Sequence, residues 1–105
     1  MADKNDPKDD GQLLTKERVT TRKPRLYKVL LHNDDYTPME FVVAILRQVF
    51  RLGDVDATQV MLHVHNNGVG LAGTFSYEIA ETKMQQVLTT AQRHEFPLQC
   101  SMEPE

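Results

Sequence analysis

The sequence predicts an α+β two-layer domain with elements in the order β-α-α-β-α-β. Three observations carry that prediction. Short segments near 26–32, 69–75 and 98–102 alternate apolar and other residues, the period of a strand with one buried face. Longer segments between them repeat apolar residues every three or four positions, as helices with one buried stripe do. Elements that are each apolar on one side are satisfied when three strands form one sheet and three helices cover its apolar face. The pattern leaves strand order open.

Residues 1–25 stand apart. Their apolar side chains are few (Leu13, Leu14, Val19), too few to offset the entropy of ordering, so this segment is expected to be a disordered N-terminal extension. It carries seven basic residues against five acidic ones, whereas the chain from Leu26 onward carries five against ten. An acidic folded part repels phosphate backbones, which argues against nucleic acid as the main ligand. No apolar run is long enough to cross a membrane or to form the core of a signal peptide. One cysteine, Cys100, permits no intramolecular disulfide and fits a cytoplasmic protein. The folded core is expected over 26–102, with 103–105 as a short acidic tail.

Taking the elements in order, Tyr27, Val29 and Leu31 alternate in LYKVLLH and give a strand ending at His32. Asn33-Asp34-Asp35 turns the chain. Thr37-Pro38-Met39-Glu40 has the form of a capping box, with Thr37 as N-cap and Pro38 as first helical residue. The stripe Val42, Ile45, Leu46, Val49, Phe50 follows, and Gly53 is expected to stop the helix. Asp54 can cap a second helix with stripe Ala57, Val60, Met61, Val64, closed by Gly68 in a left-handed conformation. Val69, Leu71 and Phe75 mark a strand that Gly70 and Gly73 weaken or bulge. Ser76 or Thr74 caps the third helix, whose stripe is Ala80, Met84, Val87, Leu88, Ala91. Phe96-Pro97 ends that helix and Leu98–Met102 forms the last strand.

Most chemistries lack their residues. His63 and His65 lie two apart on a helix and point about 200° from each other, so they do not share an ion. There is no cysteine pair, no zinc-protease helix spacing and no calcium loop, so neither metal nor cofactor is expected. Cys100 sits in an alternating strand, where a small buried residue is the ordinary reading. No glycine-flanked serine or glycine-rich helix start offers a nucleophile or a phosphate cradle.

What remains is the strand-to-helix corner, HNDDYTPMEF. Asn and Asp are turn formers, and an acid before a helix is favoured by its dipole, so the corner can be structural alone. Yet one Asx residue makes a turn, and Thr37 already supplies a cap. Asn33, Asp34 and Asp35 therefore offer spare acceptors beside an apolar helix stripe. A free α-ammonium presents three N–H donors and is mostly charged at neutral pH, and capture of a chain's N-terminal amine is a known recognition mode. Both readings stand on pattern alone.

The strings YKVLLHNDDYTPMEFVV, MLHVH, AETK and FPLQC closely resemble the ClpS family, the bacterial adaptors of the ClpA–ClpP protease. The resemblance spans about residues 24 to 102. It implies three helices on a three-stranded antiparallel sheet, and a monomeric, non-enzymatic adaptor. Such an adaptor binds proteins that begin with Leu, Phe, Tyr or Trp and hands them to the N-terminal domain of a ClpA-type AAA+ ATPase. On this resemblance Asn33, Asp35 and His65 match ligands of the α-amino group, and Asp34 would hold the loop and the peptide backbone. Leu31, Thr37, Met39, Val42, Met61, Val64 and Leu98 match the pocket for the first side chain, Met39 as a gate against Ile and Val. Thr37, Glu40, Phe41, Glu78 and Lys83 resemble the ATPase-docking face. His32 departs from the family, which carries an apolar residue there. Bordering the pocket, it would narrow it, add a donor or make binding pH-sensitive. The alternative is a module of the same fold that docks on a AAA+ ATPase or ribosomal factor without reading N-termini.

Overall fold

The computed structural model describes residues 24–105, so the expected N-terminal extension lies almost wholly outside the described residues. Six elements follow in the order β1 (Leu26–His32), α1 (Met39–Gln48), α2 (Asp54–Asn67), β2 (Val69–Ser76), α3 (Tyr77–Arg93) and β3 (Gln99–Pro104). The predicted α+β order β-α-α-β-α-β is observed. The strands form one antiparallel sheet in the order β2-β1-β3.

Central placement of β1 explains its composition. Both of its edges are paired, and Val29 and Leu31 are wholly buried on the face that the helices cover. Across the sheet Leu31 aligns with Gly70 and Cys100, so the same face continues through small residues on β2 and β3. Ala72 has no partner where the register slips between Val29 and Leu30, a bulge at the Gly70–Gly73 segment. Onto this face α1 brings Val42, Ile45 and Leu46, α2 brings Ala57 and Val64, and α3 brings Ala80, Val87 and Ala91. The opposite face is half-exposed, with Lys28 and Glu103 paired at 3.6 Å.

The helix termini differ from the sequence expectation in instructive ways. α1 begins after Pro38, whose carbonyl accepts from Phe41 and Val42, and no side chain caps it. Thr37 is not the N-cap, because its hydroxyl is drawn back onto Asp34 instead. α1 also stops at Gln48, short of Gly53. Arg51 adopts a left-handed φ of 61° and turns the chain, which frees Gly53 to precede α2. Asp54 does not cap α2 with its side chain; it pairs with Arg47 at 3.0 Å. Gly68 does close α2 at φ 88°, donating to the Val64 carbonyl. β3 runs on through Glu103 and Pro104, so those residues are strand and not tail. Pro104 is tolerated because β3 is an edge strand, and the Glu105 N–H still reaches the Leu26 carbonyl.

Candidate functional site

The corner between β1 and α1 is held by one carboxylate. Asp34 Oδ1 accepts from the backbone N–H groups of Tyr36 at 2.8 Å and Thr37 at 2.7 Å, and Oδ2 accepts from the Thr37 hydroxyl at 2.8 Å. This is an Asx turn reinforced by a side chain. Burial raises the Asp34 carboxyl, but the two backbone N–H bonds and the Thr37 hydroxyl outweigh it and hold the group below its ordinary range. A second tie runs from the Asn33 N–H to the Gly68 carbonyl at 2.9 Å, which anchors the corner to the end of α2. Because His65 lies in the last turn of α2, that bond also fixes the spacing between His65 and Asn33.

Between the corner and the two helices lies a cavity of about 250 Å³, lined by Asn33, Asp34, Asp35, Thr37, Met39, Val42, Met61, Val64 and His65. Its chemistry is divided. Asn33, Asp35 and His65 supply an amide, a carboxylate and an imidazole, while Met39, Val42, Met61 and Val64 supply aliphatic and thioether surface. Among the described residues, neither the Asn33 amide nor the Asp35 carboxylate has a hydrogen-bond partner; Asp34 is the acid consumed by the turn. Larger hollows along α3 and beside Phe96–Gln99 are more open. Neither brings an amide, a carboxylate and an imidazole together in its lining. Among the described residues no three His, Cys, Asp or Glu side chains come together as a metal site.

Comparison with known proteins gives this division a context. The family model described as "ATP-dependent Clp protease adaptor protein ClpS" matches residues 22–101. The chain belongs to the ClpS family. The ClpS adapter of Hyphomonas neptunium is 60% identical over 100 residues, covering 92% of this chain and 85% of that protein. That of Desulfatibacillum aliphaticivorans is 55% identical over 101 residues, covering 95% and 97%. Among solved structures, Agrobacterium tumefaciens ClpS2 bound to L-phenylalaninamide superposes with a TM-score of 0.77 at 41% identity, covering 79% of this chain and all of that one.

Of the twelve residues expected at the amine site and around the first-side-chain pocket, the structure brings nine to the cavity and leaves three away from it. Leu31, His32 and Leu98 are not among its lining residues. Leu31 is wholly buried and Leu98 is 3% exposed, both in the core beneath the helices. His32 follows Leu31 on a strand and so points to the opposite face, where its Nε2 meets Ser101 Oγ at 2.7 Å. It neither narrows the cavity nor adds a donor to it. His63, two residues before His65, turns away to Asn67 and a separate hollow beside Val60 and Leu71.

The expected docking residues are heterogeneous. Glu40 and Glu78 are exposed in the first turns of α1 and α3. Phe41 packs against Phe96 with ring centroids 4.8 Å apart. The Lys83 ammonium donates to the Val49 carbonyl at 2.7 Å and lies 5.4 Å from the Phe75 ring centre and 5.9 Å from that of Phe50. Sequence reasoning missed this role, since a lysine on a helix gives no sign of a carbonyl 34 residues away. Burial pushes the Cys100 thiol up to about 12, the signature of a packing residue.

Proposed function

We propose that this cavity takes the first residue of a polypeptide, with its free α-ammonium at Asn33, Asp35 and His65 and its bulky side chain among Met39, Val42, Met61 and Val64. The observation that carries the reading is that one single-residue-sized cavity is lined both by acceptor-bearing side chains and by aliphatic and thioether ones. Its volume lies below the usual range for drug-sized ligands, which suits one large side chain. L-phenylalaninamide, the ligand of Agrobacterium ClpS2, has that same form: a free amine, an aromatic side chain and a neutral amide continuing the chain.

Magnitudes agree with reversible binding. Burying the ~150–250 Å² of an aromatic side chain returns ~4–6 kcal/mol. Hydrogen bonds to the ammonium contribute ~1.5–3 kcal/mol each before desolvation. Association and side-chain ordering oppose these gains, which leaves micromolar or somewhat tighter affinity. Substrates beginning with Leu, Phe, Tyr or Trp fit; Met39, part of the apolar lining, disfavours β-branched Ile and Val. The chain itself cleaves nothing in this account. It works in the cytoplasm as a monomer and delivers its cargo to the N-terminal domain of a ClpA-type ATPase, with exposed Glu40 and Glu78 available for docking.

Fluorescent decapeptides that differ only in residue one, each with a free and an acetylated amine, test the reading. Leu, Phe, Tyr and Trp peptides with free amines are expected to bind, and Ala, Ile and all acetylated peptides are not. Binding that ignores acetylation would leave a generic apolar groove. No binding at all would favour a docking module of the same fold.

A further inference from the structure

Gly70 does not line the cavity but stands directly behind Val64, which does. Gly70 is buried on β2, aligned with Leu31 of the central strand and facing α2. A Cβ placed on it would lie 2.6 Å from Val64 Cγ2, 3.4 Å from the Val64 backbone nitrogen and 3.5 Å from His63 Cδ2. The first distance is shorter than real Cβ atoms tolerate. The obstructing atom is not the far end of a flexible chain but a methyl of a β-branched residue, stiff at χ1 in a helix. Val64 is 3% exposed, packed between the sheet on one side and the cavity on the other. Its methyl occupies the space that a side chain at residue 70 would need.

We propose that Gly70 is a size-determining residue of the first-side-chain cavity, acting through Val64: lacking a Cβ, it lets Val64 recess against the sheet and leaves the cavity wide enough for aromatic residues. This rests on the cavity reading given above. Gly70 touches no ligand; it is a positioning residue. Substitution by Ala drives the Val64 methyl toward the cavity, because the new Cβ stands on its sheet side. Large first residues lose more than small ones, and the loss disappears when Val64 itself is shortened.

The experiment measures affinity for Leu, Phe and Trp decapeptides on four proteins: wild type, G70A, V64A and G70A/V64A. Thermal unfolding is followed on the same four. In the Val64 background, G70A is expected to weaken Trp and Phe peptides at least tenfold more than the Leu peptide. In the V64A background the same change costs about twofold or less, with no dependence on size, since the new methyl takes the vacated place. A non-additive pair of this kind is the signature of two residues competing for one space. Equal losses for all three peptides, or a G70A penalty unchanged by V64A, would overturn the proposal and leave Gly70 a strand residue only. Should G70A alone not fold, recovery of folding and Trp-peptide binding in G70A/V64A supports the proposal, and failure of the double variant contradicts it. Failure of wild type to bind any peptide would count against the cavity reading itself, while the coupling seen in thermal unfolding would still test the contact.

Discussion

Replacing Asp34 by Ala removes a single carboxylate and with it three hydrogen bonds of 2.7–2.8 Å, two to backbone N–H groups and one to Thr37. Cap-type carboxylate losses of this sort cost about 0.5–2 kcal/mol, and bonds to a charged acceptor sit at the upper end. Asp34 is partly exposed, so water recovers some of the loss. A destabilisation of about 1.5–2 kcal/mol follows, which lowers the melting temperature of a domain this size by about 6–16 °C. The binding effect is separate. Asn33 precedes the turn and Asp35 lies within it, and ordering a released residue costs about 1–2 kcal/mol each, so affinity for a Phe-initiated peptide is expected to fall at least tenfold. Asp34→Asn keeps the Oδ1 acceptor for both backbone bonds and retains most of both properties. The pH dependence has a defined sign. The folded carboxyl lies below its ordinary range, so its stabilisation is fully present above roughly pH 3.9 and is lost as pH falls through the lower folded value. Wild type therefore keeps its advantage over D34A at neutral pH, and the two converge in strong acid. Urea unfolding at several pH values and peptide anisotropy check both halves. A D34A variant with unchanged melting and unchanged affinity would refute the idea that this carboxylate builds the site.

Two further outcomes follow from groups outside the cavity. Lys83→Met removes a charged hydrogen bond to the end of α1 and a contact with two aromatic rings, so urea unfolding should show a loss of about 1.5–3 kcal/mol; a loss below about 0.5 kcal/mol would return Lys83 to the solvated surface. With its thiol raised to about 12 and its side chain buried, Cys100 should resist thiol reagents at about pH 8 in the native protein and react at once in urea. Rapid labelling of the native state would contradict its place in the core.

How much of this was legible in the sequence depends on the range of the interactions concerned. Element type follows from local periodicity, so Tyr27–Val29–Leu31 and the stripe Val42–Ile45–Leu46 announce a strand and a helix without help from the rest of the chain. Helix ends depend on which of several nearby side chains wins a given N–H or hydroxyl. Thr37 has the form of a cap, but Asp34, three residues earlier, takes its hydroxyl. The extent of β3 was hidden because proline usually ends a strand, and only the edge position of β3 makes Pro104 admissible. Strand order, the tie from Asn33 to Gly68, the reach of Lys83 to Val49 and the close approach at Gly70 join residues far apart in the chain. No local pattern encodes them. At the cavity, the alternation of β1 already separated His32 from Leu31, yet which face carried the site was visible only once the helices were placed. Leu31 and Leu98 then proved to belong to the core.

The central claim, that Asn33, Asp35 and His65 receive an α-ammonium in this cavity, is tested most directly by titrating the ¹⁵N-labelled protein with L-phenylalaninamide and, in parallel, with its N-acetylated form. The account predicts amide shifts confined to Asn33–Met39 and Met61–His65 with the free amine, and none with the acetylated compound at the same concentration. Shifts that survive acetylation, or that gather on α3 or the open face of the sheet, would contradict it.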